Sequence, residues 1–195
     1  MKQFMFFIGI VAVVGLLGGC WIIGQRNALI ALDENVNEAW SNIDADLQRR
    51  NDLIPNLVST VKGYASHEEE VFTNIADARS KLAGATTMKE KAEADATLTA
   101  GLGRLLAIAE NYPELKANEG FLRLQDELAG TENRIKVTRK RYNEDVKKFN
   151  RTIRQFPGSL FAGNLPVVGL NLEPRDYFEP PQGHDAVVNA PKVEF

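Results

Sequence analysis

Phe4 to Ile23 runs for 20 residues without a charged side chain, and no other feature constrains the chain as much. A helix rises about 1.5 Å per residue, so about 20 apolar residues match the hydrocarbon core of a bilayer. Two membrane readings compete. One is an uncleaved transmembrane anchor. The other is a lipoprotein signal peptide, because Leu17-Gly18-Gly19-Cys20 has the form of a lipobox with Cys20 as the lipidated residue. Trp21-Ile22-Ile23 carries the apolar run past Cys20, and Trp21 suits the headgroup level, which favours the anchor. Lys2 and Arg26 flank the run on opposite sides, so the positive-inside count gives no orientation. A signal-anchor ahead of a large hydrophilic domain leads us to expect the domain on the non-cytoplasmic side.

Composition removes several function classes. With 44% hydrophobic residues and a net charge of -3 in 195 residues, the chain is not a disordered one and has room for a core. One Cys excludes a disulfide framework and a Cys-based zinc site. His67 and His184 are the two imidazoles, too few for a His-rich metal centre. Six of the eight prolines (Pro157, Pro166, Pro174, Pro180, Pro181, Pro191) fall in residues 157–195. That region is an extended strap or a loose end rather than a helix.

Between these ends the apolar pattern is helical. Leu29, Val36, Ile43, Leu57 and Tyr64 form one stripe and Trp40, Leu47, Ile54 and Val61 its companion, a heptad seam with Arg50 in a gap. Pro55 lies inside this helix and removes one backbone hydrogen bond. Ser66-His67-Glu68-Glu69 and Thr87-Met88-Lys89-Glu90 have capping-box spacing and predict two further helix starts. A last helix carries Phe121, Leu128, Ile135, Tyr142, Phe149 and Phe156 at intervals of seven, with Val146 and Ile153 beside them. The expected fold is all-α: an N-terminal transmembrane helix, a long antiparallel four-helix bundle and a Pro-rich C-terminal tail. The expected divisions are residues 1–24, 25–156 and 157–195.

Specific strings support this layout. Asn35-Val36-Asn37-Glu38-Ala39-Trp40, Arg49-Arg50-Asn51-Asp52-Leu53-Ile54-Pro55-Asn56-Leu57-Val58 and Tyr112-Pro113-Glu114-Leu115-Lys116-Ala117-Asn118 resemble the LemA family, as do Arg141-Tyr142-Asn143, Phe149-Asn150 and Phe156-Pro157. The resemblance covers residues 25–178. Asn51 stands where the motif usually has an aromatic, and the chain after Phe178 lies outside the pattern. The resemblance implies a bacterial, membrane-anchored helical bundle of the cell envelope without established catalysis. It also implies an adaptor role, for which a membrane zinc metalloprotease is one candidate partner.

The residues offer little chemistry. His67 with Glu68, Glu69 and Glu70 could be a metal or acid/base cluster, but acids at a helix start follow from the macrodipole alone. No phosphate loop, nucleophile elbow or HExxH string occurs. We therefore expect no catalytic residues, metal or cofactor. Arg134 to Arg154 holds nine bases and two acids. Arg134, Arg141 and Lys148 flank the seam there, as bundle charges do, or offer a basic surface to lipid headgroups. Nucleic acid is the less favoured anionic ligand.

Two placements follow from the heptads. If the first and last helices run antiparallel, Arg50 falls near Glu132, and the two are expected to pair. The second and third helices are short, so the seam around Leu29, Val36, Trp40, Ile43, Phe149 and Ile153 should lack cover. Neighbouring copies, or the tail through Leu160, Phe161, Val167, Val168 and Leu170, would fill the gap. The tail's prolines and glycines favour self-assembly, making the protein a homo-oligomer.

Overall fold

The computed structural model describes residues 2–163 and 168–179. Among these all regular structure is helical, and none is strand. Helix α1, Lys2–Lys62, is a single helix of 61 residues. It joins the apolar run to the amphipathic seam without a break, since Gly24-Gln25-Arg26-Asn27-Ala28 holds no proline and one glycine. None of its most apolar window is covered by protein, and the helix is long and apolar enough to cross a membrane.

Four shorter helices and one long one follow: α2 (Glu69–Gly84), α3 (Met88–Ala109), α4 (Pro113–Lys116), α5 (Glu119–Arg154) and α6 (Gly158–Ala162). Their starts show which capping signals act. At α3 the Thr87 side chain accepts from the Glu90 amide, and Glu90 Oε2 accepts from the Thr87 amide. These backbone bonds, above all the one to Thr87, hold the Glu90 carboxyl below its ordinary value. The box expected at Ser66 does not form. The Glu68 amide still bonds back to Ala65 and the Glu68 carbonyl takes the Phe72 amide. Glu68 is therefore the N-cap, without a side-chain cap bond, and Ser66 lies two residues too early. Asn118 Oδ1 accepts from the Phe121 amide and opens α5.

The chain divides into two compact units. One comprises Trp40–Tyr142 together with residues 177–179. Its core holds Ile43, Leu47, Ile54 and Val61 of α1, Leu98, Leu102 and Leu105 of α3, and Phe121, Leu128, Ile135 and Tyr142 of α5. The Trp40 and Tyr142 rings are 6.2 Å apart, Thr138 Oγ1 donates to Asp46 at 3.2 Å, and Arg50 meets Glu132. Ascending numbers in α1 thus meet descending numbers in α5, so the two segments run in opposite directions. Tyr64, placed on the seam by spacing, is exposed.

The other unit comprises Met1–Ala39 and Asn143–Asp176, and here the cover of the seam differs from expectation. The side-chain amide of Asn150 accepts from the Arg175 amide and donates to the Arg175 carbonyl, both at 2.8 Å. Arg175 also donates to Asp33 of α1 at 2.9 Å. The Leu170 and Leu172 amides bond the Phe161 and Ala162 carbonyls at 2.8 Å. The strap therefore needs no continuous apolar ridge. One side-chain amide and the end of α6 pair several of its backbone groups. Leu29, Val36, Ile43, Phe149 and Ile153 are buried within this one chain, and Trp40 is half-buried. They are not the open self-assembly surface that helix lengths suggested, because α6 and the strap belong to the unit that buries Leu29, Val36, Phe149 and Ile153. Val167 and the prolines at 166, 180, 181 and 191 lie outside the described residues. Phe156, the last heptad position, falls beyond the end of α5 and is 77% exposed. Gly158 then turns the chain into α6 with its Cα against the Thr152 carbonyl, where a Cβ would collide.

Pro55 shows how the fold absorbs a helix breaker. Having no N–H, it cannot bond the Asn51 carbonyl four residues earlier. Arg79 of α2 fills that role, with its Nε donating to the Asn51 carbonyl at 3.2 Å and to Asn51 Oδ1 at 3.1 Å. Removing this donor strands a part-buried carbonyl, which costs about 1–3 kcal/mol. Arg79→Met should therefore destabilise the protein by about that amount in denaturant melts. In a Pro55→Ala background, where residue 55 regains its own N–H, the same substitution should cost distinctly less. Equal losses in both backgrounds would separate Arg79 from Pro55.

Candidate functional site

The most deeply buried charged residue is Arg50, which is 4% exposed in the C-terminal part of α1. Its Nη1 donates to Asp95 Oδ1 of α3 at 2.6 Å and lies 3.1 Å from Glu132 Oε2 of α5. Three helices therefore share one guanidinium. Satisfaction is incomplete, because Arg50 Nε and Glu132 Oε2 are buried without a hydrogen-bond partner. The 3.1 Å contact is an ion pair without hydrogen-bond alignment. Lys136 Nζ stands 3.7 Å from the other Glu132 oxygen, one turn along α5. Burial holds the Asp95 carboxyl above its ordinary value. Arg50 pulls it down and the neighbouring Glu132 charge pushes it up again.

The sequence brought Arg50 and Glu132 to the same level, and the structure places them together. Asp95 was missed. The signal was present, since Asp95 lies three residues before Leu98 on the face that continues through Leu102 and Leu105, and a carboxylate on an apolar face wants a partner. Asn150 and Arg79 were missed as well. Each serves a main-chain group made needy by the fold, which side-chain periodicity does not register.

The remaining candidates are surface residues. Arg134 donates to Thr131 Oγ1 at 3.1 Å and stands 3.9 Å from Asp46, while Arg141 and Lys148 are exposed. Cys20 is a free, exposed thiol, and His67 is exposed in the turn before α2. Among the described residues no three His, Cys, Asp or Glu side chains converge on a common point. A cleft of about 230 Å³ is lined by Asp44, Leu47, Gln48, Asn51, Asp52, Leu82, Ala83 and Lys91. Lys91 in it is engaged by Asp44 and lies over the Trp40 ring. The Arg50 cluster joins α1, α3 and α5, the arrangement of a structural clamp.

Two outcomes test the clamp. Breaking a buried pair from one side costs about 3–5 kcal/mol, whereas an exposed pair is worth about 1 or less. Arg50→Ala should fall in the first class by denaturant unfolding. The raised Asp95 value means that the folded state keeps a proton the unfolded chain releases. As pH rises from the usual aspartate range through the raised value, Asp95 should therefore subtract stability. Asp95→Asn should remove that part of the stability–pH slope, and an unchanged slope would show that Asp95 titrates normally.

Comparison with known proteins gives the chain a family. The chain is 27% identical to "Protein LemA" of Metamycoplasma hominis over 88% of this chain and 78% of that protein. It is 23% identical to "Magnetosome protein MamQ" of Magnetospirillum gryphiswaldense over 98% and 77% of the two chains. The same identity holds for "Magnetosome protein MamQ 2" of Paramagnetospirillum magneticum, over 95% and 75%. The LemA family model matches residues 39–195, which include the Arg50 cluster, the Pro55 site and Asn150, so the match also takes in the residues after Phe178 that were expected to lie outside the pattern, and the chain belongs to that family.

Proposed function

We propose that the protein is a non-enzymatic, single-pass membrane protein of the bacterial envelope that serves as an adaptor. The observation that carries this reading is the continuity of α1. One helix supplies both the apolar segment and the buried Arg50 that ties α3 and α5 together. A side-chain cluster used as a clamp, on a helix that also enters the membrane, suits a protein that presents a surface rather than one that turns over a substrate.

Assembly with a second copy or with another membrane protein, such as a metalloprotease, completes the proposal. The strap makes the seam residues unavailable for it. In the apolar part of α1, Gly15 and Gly19 are four residues apart, and a Cβ on either would meet nothing within 4 Å. Small residues at that spacing let transmembrane helices approach closely. Self-association through the anchor is therefore the route we favour.

Membrane fractionation tests the anchor. The protein should stay with membranes at alkaline pH and leave only with detergent, and its intact mass should include residues 1–19. A lipid-modified N-terminal Cys20 would replace the anchor by a lipoprotein. With Cys20→Ser, a cysteine at exposed Val137 should react with an impermeant maleimide in intact spheroplasts, as a non-cytoplasmic body requires. Gly15→Leu with Gly19→Leu should abolish cross-linking between copies, and a wild-type protein that is monomeric in detergent and in membranes would end the assembly proposal.

A further inference from the structure

Charge is distributed unevenly in the unit formed by Met1–Ala39 and Asn143–Asp176. No Asp or Glu occurs in residues 1–32 or 146–172, although acids outnumber bases in the whole chain. The same stretches carry Lys2, Arg26, Lys147, Lys148, Arg151 and Arg154. The four on α5 are exposed and Arg26 is half-buried. Arg151 donates to Gln155, a neutral neighbour, at 3.3 Å. Lys147, Arg151 and Arg154 share one face of α5 at spacings of four and three.

Apolar residues lie beside these cations. The Trp21 ring contacts Phe161 edge-on at 5.9 Å. Trp21 sits two residues before the end of the apolar run, where tryptophan marks the headgroup level. The contact sets α6 at that level too. Phe161 is buried, but Phe156 and Leu160 on either side of the α6 start are 77% and 45% exposed. A bare phenylalanine five residues from a headgroup-level contact, with a cluster of cations and no acid, has the composition of an interfacial anchor.

We propose that the α5–α6 corner is a second membrane contact, with Phe156 and Leu160 entering the interface and Arg151 and Arg154 binding the phosphates of anionic lipid. The inference rests on the α1 anchor reading. Each basic side chain near an anionic surface adds attraction, and two apolar side chains add burial. The corner would therefore stay pressed to the bilayer while the anchor holds it nearby. The lipid surface is favoured over a second copy as occupant by continuity with the apolar segment through Trp21 and by the one-signed charge.

The test uses the full chain with Cys20→Ser, reconstituted in vesicles of phosphatidylcholine with or without phosphatidylglycerol. Nitroxides are placed singly at Phe156→Cys, Leu160→Cys and Val137→Cys, all exposed positions. In anionic vesicles the labels at 156 and 160 should collide severalfold more with oxygen, relative to a water-soluble nickel chelate, than the label at 137. Neutral vesicles, or Arg151→Gln with Arg154→Gln, should reduce that preference. Labels at 156 and 160 as open to nickel as the one at 137 would overturn the proposal. So would labels screened from both relaxants, or spin–spin broadening between copies, which would make the cover protein rather than lipid. Equal preference in both lipid compositions would overturn the phosphate contacts. Release of the protein from vesicles at alkaline pH would instead count against the anchor, and so is a separate failure.

Discussion

The guanidinium of Arg50 decides how three helices meet. A buried cation without partners would cost several kcal/mol, so α1 is restricted to arrangements that bring carboxylates to that level. Asp95 and Glu132 arrive from α3 and α5. The apolar residues around them (Ile43, Leu47, Leu98, Leu102, Ile135) provide the burial, but similar residues would pack in several registers. The charge contributes selectivity among those registers rather than net stability.

Elsewhere the molecule meets main-chain needs with side chains from distant segments. Arg79 takes the place of the missing Pro55 N–H, and Asn150 supplies both donor and acceptor to Arg175, as a neighbouring strand would. A proline in a long helix and a strap without regular structure each leave backbone groups unpaired. One part-buried polar side chain at each place removes the cost. Such solutions give the strings around Pro55 and Asn150 a structural reason to be distinctive.

The helices were legible because their burial is periodic. The seam from Leu29 to Val61 and the sevenfold series from Phe121 to Phe149 predict their own buried faces. The pairing of opposite directions followed from two matched seams, and with it the nearness of Arg50 and Glu132. What escaped was of another kind. Ser66 looked like a cap because spacing ignores the turn that carries the Glu68 amide back to Ala65. Phe156 fits the heptad although the helix has ended at Arg154. The strap looked unfit as a cover because its prolines and glycines were weighed by their apolar ridge. Hydrogen bonds to Asn150 and α6, which hold it, are long-range pairings that no local pattern encodes.

The register argument can be taken one step further on the sequence itself. A coiled seam that slips does so by a heptad, since seven residues restore the apolar stripe. If α5 slipped against α1 by seven residues in one direction, Arg139 would replace Glu132 opposite Arg50, setting two guanidiniums together. In the other direction Gln125 would arrive, leaving the cation with a neutral amide. A slip of α3 would present Leu102 or Met88 in place of Asp95. Every one-heptad alternative thus takes one carboxylate from the buried charge, and one of them opposes it with a second cation, whereas the apolar stripes alone would tolerate several of them. Arg50 with its two carboxylates is the residue set that makes one alignment of α1, α3 and α5 preferable. Hydrophobic residues at positions 50, 95 and 132 together would leave the core packed but free to choose among registers.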